Sequence, residues 1–155
     1  MDDTFELVKI GEEQCVLNKL NAYHPKIQFT KEVEERGSIS FLDAAIKKNE
    51  TDGTMKTAVY RKPTNTDIYI HWKAHAPSSW KIATLKNLVQ QAILVSSTKH
   101  ALEEELHHLK RVFCSVNDYP EQLVEEVIKN EQNRKEPPEA KQPPPTIMKT
   151  KYNFS

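Results

Sequence analysis

The chain has 155 residues, of which 37% are hydrophobic, and its 22 basic and 22 acidic side chains give a net charge of zero at pH 7. It contains no apolar run of membrane-spanning length and no signal peptide, so we expect a soluble intracellular protein, with the nucleus as one candidate compartment. Only two cysteines are present, Cys15 and Cys114, which excludes a disulfide-rich secreted domain.

The zero net charge hides an uneven distribution along the chain. Residues 1–53 carry 7 Lys/Arg and 11 Asp/Glu, whereas residues 54–100 carry 7 and 1. Residues 101–139 are acidic again, with 5 and 10. A basic middle segment between two acidic ones indicates a polyanionic partner for the middle, and nothing in the sequence indicates a small-molecule substrate.

The first third is predicted to contain a strand, a helix and a second strand. Apolar and polar residues alternate over residues 6–10 and again over residues 27–33, as in half-buried strands. Residues 11–23 have apolar side chains at helical spacing, and the His24-Pro25 step should end that helix.

The stretch from Ser38 to Ile70 carries the clearest strand signal. A near-continuous apolar run from Ile39 to Ile46 predicts one strand that is buried on both faces, and alternation from Met55 to Tyr60 predicts a half-buried strand. Asp52-Gly53 lies between them and supplies the positive φ of a hairpin turn. Pro63 then removes the chain from the sheet, because it has no N–H to donate.

The second half is predicted to be helical. Helices should begin near Pro77-Ser78, at Thr98, which can cap the second helix, and near Pro120, each with an apolar stripe at 3.6-residue spacing. From Asn133 the chain is rich in proline and polar residues, which is typical of disorder. We therefore predict an α+β fold: a small antiparallel sheet with one helix, followed by a three-helix bundle and a disordered proline-rich tail.

Basic and aromatic side chains alternate from the predicted hairpin into the first bundle helix. Cations that neutralise phosphates, next to rings that stack on bases, are typical of nucleic-acid grooves. A solvated basic surface with structural aromatic residues would show the same pattern, and both interpretations stay open here. The candidate contact residues are Arg61, Lys62, Lys73, Trp80, Lys81 and Lys86.

Asp2 and Asp3 are adjacent carboxylates before the first predicted strand. Hard oxygen ligands suit Mg²⁺, so the pair could be part of a two-metal phosphoryl-transfer site, or simply a solvated acidic terminus. The histidines His71, His75 and the pair His107-His108 have no Cys or carboxylate at ligand spacing, which does not favour zinc.

Several phrases resemble reverse transcriptases of Penelope-like retroelements. Asp2-Asp3-Thr4-Phe5 resembles the end of their Tyr-x-Asp-Asp catalytic motif, and SISFLDAAI, DGT and TAVYRKPTNTDIYIHW resemble the segment that follows it. His75 to Lys81 resembles the start of their helical thumb, which is also classed as a helix-turn-helix domain in animal proteins. The resemblance covers residues 1–130.

The resemblance implies a role for each segment. Residues 1–70 would be part of a palm with its β-hairpin, residues 71–132 a helix-turn-helix-like thumb, and residues 133–155 a disordered linker. Asp2 and Asp3 would be the catalytic ligands of Mg²⁺ in a complete polymerase. The fingers and the third carboxylate of such enzymes are missing, so we expect this chain alone to have no polymerase activity and to need no cofactor.

The sequence thus predicts a fragment of an RNA-directed DNA polymerase that binds an RNA–DNA or DNA duplex weakly and without sequence preference. The alternative is a stand-alone helix-turn-helix-like module, residues 70–130, that binds nucleic acid or a protein. A degenerate gene product without function has the same sequence features.

Overall fold

The computed structural model describes residues 3–49 and 53–134. Their elements are helix α1 (Glu13–Tyr23), strands β1 (Ser38–Phe41), β2 (Ala44–Lys48) and β3 (Met55–Val59), and helices α2 (Ser78–Val95), α3 (Lys99–Arg111) and α4 (Glu121–Gln132). A π-helical turn, Val112–Val116, prolongs α3. This order of an early helix, a small sheet and a helical bundle confirms the predicted α+β fold. The proline-rich tail beyond Arg134 lies outside the described residues.

The sheet is an antiparallel meander in the order β1-β2-β3. β2 and β3 pair from Ala44 opposite Val59 to Lys48 opposite Met55, which confirms the predicted hairpin. Gly53 in their connection has a φ of +69°, the left-handed conformation that glycine adopts without a steric cost. Asp52, the other half of the predicted turn, lies outside the described residues.

The apolar run from Ile39 to Ile46 is not the single buried strand that we expected. It contains two strands, β1 and β2, which pair with each other across a tight turn at Leu42-Asp43. Leu42 has a φ of +53° although it is not glycine, and the strand residues are only half-buried. An apolar run does not show where a chain reverses, and here neither glycine nor proline marks the turn.

The two strands predicted near the N-terminus are also wrong. Residues 5–10 and 27–33 lie in no strand, and the side chain of Ile10 is fully exposed. The Phe29 N–H donates to Oδ1 of Asn21 at 2.6 Å, and Nδ2 of Asn21 donates to the Phe29 carbonyl at 3.1 Å. Alternation predicts a strand only where a neighbouring strand completes the ladder, and here a side-chain amide takes that place.

Helix α1 is confirmed and ends where His24 turns into extended backbone, but none of its residues is buried. The core of the described chain lies instead among the later helices, where the predicted apolar stripes meet. Its members are Leu85, Val89, Ala92, Leu106, Leu109, Val112, Phe113, Tyr119, Val124 and Val127. The predicted cap is also present, because Oγ1 of Thr98 accepts from the Ala101 N–H at 3.2 Å.

The sheet is joined to this bundle through β3. Thr57 donates its N–H to Oγ of Ser97 at 2.8 Å and accepts the Ser97 N–H at 3.0 Å. Its hydroxyl donates to the Val95 carbonyl at 2.6 Å. These bonds cover the outer edge of β3, which would otherwise offer unpaired backbone groups to another chain. Within the described residues, no helix has the length and apolar character needed to cross a membrane.

Candidate nucleic-acid interface

Asn117, at the end of the π-helical turn, forms hydrogen bonds that connect the extended segment of residues 67–72 to the helices. Its side chain is 1% exposed; Oδ1 accepts the Tyr69 N–H at 2.8 Å, and Nδ2 donates to the carbonyls of Asp67 and Val112, both at 3.0 Å. Its own carbonyl accepts the Trp72 N–H at 2.9 Å. One buried amide therefore fixes the path of residues 67–72 over the bundle.

Aromatic rings fill the space between this segment and the helices. The Tyr69 ring stacks on Phe113 at a centroid distance of 5.1 Å, and Phe113 meets Tyr119 edge-on at 4.9 Å. The Tyr119 hydroxyl donates to the Ile70 carbonyl at 2.9 Å, and burial raises the pKa of that phenol. Tyr69 is thus a structural aromatic residue, because its ring is used within the core.

Lys81 lies in the first turns of α2 and is only 6% exposed. Its Nζ donates to the carbonyls of Trp72 at 2.5 Å and Ala74 at 2.8 Å, and it lies 5.3 Å from the centre of the Trp72 ring. The ammonium group therefore holds the loop before α2 in place. With its donors directed inward, it is not available to a phosphate on the surface.

We expect Lys81→Glu to destabilise the fold by about 3 kcal/mol or more, because a carboxylate would face two carbonyl oxygens in a buried site. Lys86→Glu is the control on the same helix, and at an exposed position it should change the free energy of unfolding by no more than about 0.5 kcal/mol. Chemical denaturation measures both. Equal stability of the two variants would contradict the structural role of Lys81.

Arg61 is likewise engaged inside the molecule. Its two terminal nitrogens bind the carboxylate of Glu105 on α3 in a bidentate ion pair, and its Nε lies 3.6 Å from Oδ1 of Asp67. The Glu105 side chain is 9% exposed, and its hydrogen bonds raise the pKa of Arg61. This pair joins the chain after β3 to the middle of α3.

Lys73 is exposed but paired. Its Nζ lies 2.5 Å from Oδ2 of Asp118, and this contact lowers the pKa of Asp118. Because both groups are in contact with water, Lys73 could exchange this partner for a phosphate at little cost.

The remaining cations between β1 and Arg134 differ, according to their place in the fold, in whether they have a carboxylate partner. In α3, Lys99 pairs with Glu103, and Lys110 pairs with Glu121 and Glu125, whereas Arg111 contacts the ring of His108. Arg134, just after α4, pairs with Glu131. Exposed lysines without a carboxylate partner among the described residues lie on the sheet, after β3 and on α2. They are Lys47, Lys48, Lys56, Lys62 and Lys86, together with Lys129 on the acidic helix α4.

Two of these lysines oppose each other directly. Lys47 of β2 and Lys56 of β3 are directly opposite each other in the antiparallel pair, so their side chains project from the same face of the sheet. Like charges at such positions destabilise a sheet. An anion bound between them would relieve that repulsion.

The outer surface of α2 bears an exposed aromatic ring and an amide between two apolar side chains. At about 100° per residue, Trp80, Ala83, Asn87 and Leu94 lie within one narrow arc on the side away from the core. We call these four residues the α2 face. Trp80 is 63% exposed, and α2 contains no acidic residue.

Unpaired lysines lie on both sides of the α2 face. Lys86 lies on the side turned toward Glu131 of α4. The pKa of Glu131 is lowered mainly by a hydrogen bond from Gln90, and to a smaller extent by the charges of Arg134 and Lys86. On the opposite side Leu88 and Gln91 line a cavity that they share with Lys62. The α2 face is therefore an uncharged strip with a cation on each flank.

The other two bundle helices have the opposite charge. Helix α4 has four glutamates and one lysine, and Glu103, Glu104 and Glu105 follow each other in α3. Phosphates would be repelled from α4. Among the three bundle helices, the charge distribution thus favours α2 as the surface for a polyanion.

The predicted site residues are not brought together as one group. Lys62, Trp80 and Lys86 lie on or beside the α2 face, Lys73 is in an exposed ion pair, and the charges of Arg61 and Lys81 are bound internally. Asp3 is exposed and lies in no helix or strand, and Asp2 lies outside the described residues. Among residues 3–49 and 53–134, no three His, Cys, Asp or Glu side chains are close enough together to hold a metal ion.

Sequence reasoning missed Asn117 and the Arg61–Glu105 pair. Asn117 carried no local signal apart from its place beside Asp118-Tyr119-Pro120, a turn-forming stretch. Lys81 did carry a signal, because it precedes Leu85, Val89 and Ala92 at spacings of 4, 8 and 11 residues and so belongs to the core stripe.

Residues 68–129 match the family model of the animal helix-turn-helix domain. The match begins where Asn117 fastens the extended segment to the bundle and ends within α4. No curated protein and no solved structure gave a significant match. No comparison matched residues 1–67, which make up nearly all of the part that resembles a polymerase palm. The comparisons support the helix-turn-helix domain and give no evidence for a reverse transcriptase.

Proposed function

We propose that the helix-turn-helix domain of residues 68–129 binds duplex nucleic acid through the α2 face and the unpaired lysines beside it. The observation that carries this proposal is the distribution of the cations. On α3 most cations are paired with carboxylates, and on α4 they are outnumbered by glutamates. Lys62 and Lys86, in contrast, are exposed and form no ion pair within the described chain. This is the alternative function predicted from the sequence.

The choice of helix follows from charge. In many helix-turn-helix proteins the second helix of the motif enters the major groove. Here α4 has four glutamates and α3 three, so either helix would bring carboxylates to the phosphates. Helix α2 has none, and its side chains Asn87 and Trp80 can contact base edges or sugars between the two strands.

The expected affinity is modest. Few phosphates are neutralised by Lys62, Lys86 and the lysines of the sheet, so the dissociation constant should lie in the range of about 10⁻⁴ to 10⁻⁶ M at physiological salt. Binding should be largely independent of sequence, because phosphate contacts position the protein without reading bases.

Charge reversal tests the interface. The double variant K62E/K86E should bind a 20-base-pair duplex about tenfold or more weakly than the wild type, because two phosphate contacts become repulsive. Fluorescence anisotropy at low salt measures the affinities.

The matched control is K99E/K129E, which changes the net charge by the same amount on helices α3 and α4. It should retain most of the binding, while thermal melts show that both variants are folded. Equal losses in the two double variants would mean that binding follows net charge alone, and would overturn the assignment of the interface.

The second candidate is that the chain derives from a reverse transcriptase, with the helical domain as its thumb. The resemblance implies a β-hairpin followed by a helical thumb, and in this chain a hairpin with a Gly53 turn precedes the residues that match the helix-turn-helix domain. In the same assay a thumb should bind an RNA–DNA hybrid at least as tightly as a DNA duplex. A clear preference for the DNA duplex would count against this origin.

A further inference from the structure

A cavity of about 320 Å³ opens beside the α2 face. Its walls come from the β1–β2 turn, the end of β3, the loop after β3 and helix α2. Asp43, Tyr60, Lys62, Thr64, Leu88 and Gln91 are among its lining residues. This volume is at the lower end of the range for small-molecule sites and suits a ligand of about the size of one nucleotide.

The polar lining of the cavity divides into two sets. Arg61 and Asn65 have partners within the protein. Arg61 binds the carboxylate of Glu105, and Nδ2 of Asn65 donates to Oδ1 of Asp67 at 3.0 Å. The side chains of Asp43, Lys62 and Gln91 have no hydrogen-bond or ion-pair partner among the described residues, and neither do the hydroxyls of Tyr60 and Thr64. The cavity wall therefore presents several solvent-accessible polar groups that have no partner among the described residues and can bind a ligand in exchange for water.

These solvent-accessible groups differ in their chemistry. Lys62 offers a cation and Thr64 a hydroxyl, which suit a phosphate. Asp43 offers a carboxylate, which accepts hydrogen bonds only. Tyr60 and Leu88 offer apolar surface to a flat ring. A nucleotide whose base carries an exocyclic amino group matches this set, because its phosphate is an anion and its amino group a donor.

We propose that this cavity binds one unpaired nucleotide, with a cytosine, adenine or guanine base, next to the duplex on the α2 face. This inference rests on the proposed function, because the cavity shares Lys62 with the duplex interface. The base must be unpaired, since a base within a duplex is stacked on both faces and cannot enter a cavity.

In this arrangement each residue has one role. Lys62 and Thr64 bind the phosphate, Tyr60 and Leu88 contact the ring, and Asp43 accepts the amino hydrogens. Gln91 can donate to a ring nitrogen or carbonyl. Thymine and uracil have no exocyclic amino group, and a carbonyl oxygen stands where cytosine carries its amino group. Their one donor is the ring N3–H, so Asp43 accepts fewer hydrogen bonds from them, and the carbonyl beside it is repelled by the carboxylate.

The test compares a blunt duplex with the same duplex bearing a short single-stranded overhang of cytosines or of thymines, using the full chain. The cytosine overhang should bind about fivefold or more tightly than the thymine overhang, a difference expected of one base contact. Asp43→Asn should abolish this difference, because an amide can also donate to thymine. The control Glu126→Gln removes the same charge from α4 and should leave the difference unchanged.

The outcomes separate the two proposals. Equal binding of both overhangs, or a difference that survives in Asp43→Asn, overturns the nucleotide site. If the blunt duplex binds but neither overhang adds affinity, only the nucleotide site fails. If the blunt duplex does not bind while the cytosine overhang does, the duplex interface fails and the nucleotide site stands.

Discussion

Asn117→Leu should lower the free energy of unfolding by about 4 kcal/mol, although the two side chains are similar in size. The substitution removes the side-chain partners of the Tyr69 N–H and of the Asp67 carbonyl, and an unsatisfied buried polar group costs about 1–3 kcal/mol. The Val112 carbonyl loses one of its two donors, because the backbone N–H of residue 117 still binds it. Denaturant titration followed by circular dichroism or tryptophan fluorescence measures the loss.

The matched control is Asn130→Leu, the same chemical change at an exposed position of α4. It should alter stability by no more than about 0.5 kcal/mol. A loss below about 1 kcal/mol in Asn117→Leu would show that the path of residues 67–72 does not depend on this amide.

Arg61→Ala should cost about 3 kcal/mol, because it leaves the carboxylate of Glu105 buried and unpaired. The double variant Arg61→Ala/Glu105→Leu removes both charges and should regain most of that stability, since replacing a buried ion pair by apolar groups is often neutral. Denaturant titration of both single variants and the double variant completes a mutant cycle.

A surface pair provides the comparison. Lys99→Ala removes the partner of Glu103 in an exposed pair and should cost less than about 0.5 kcal/mol. If Arg61→Ala is as mild as Lys99→Ala, then Glu105 is hydrated without its partner, and the joint between the loop after β3 and helix α3 is looser than the geometry shows.

The helices could be predicted from the sequence because their signals are local. The apolar stripes of α2, α3 and α4 repeat at 3.6-residue spacing, Thr98 has the side chain of a cap, and Gly53 marks the hairpin. Each of these features depends on neighbours within a few residues, so a single sequence contains the necessary information.

The strands near the N-terminus could not be predicted in the same way. Alternation over residues 6–10 and 27–33 satisfies the pattern of a strand, but a strand also needs a partner at a distance, which a pattern does not specify. The turn at Leu42-Asp43 was missed for a related reason, since its positive φ at leucine is imposed by the pairing of β1 with β2.

The sequence indicated which segment is rich in basic and aromatic residues, but not which of its cations face solvent. The basic and aromatic middle segment includes Lys62, Trp80 and Lys86, which lie on or beside the α2 face, and their contact with nucleic acid stays a prediction. The same pattern included Lys81 and Arg61, whose charges are bound by Trp72, Ala74 and Glu105. Charge counting along a sequence does not separate a lysine that faces solvent from one that stabilises a loop, and only tertiary contacts make that distinction.

The most direct test of the nucleic-acid interface is the salt dependence of duplex binding. For the wild type, the logarithm of the association constant should fall linearly with the logarithm of salt concentration. In K62E/K86E the slope should be shallower by about 2, because two phosphates are no longer neutralised by a lysine. K99E/K129E should keep the wild-type slope. A wild-type affinity that does not change with salt, or the same slope in all three proteins, would contradict this interface.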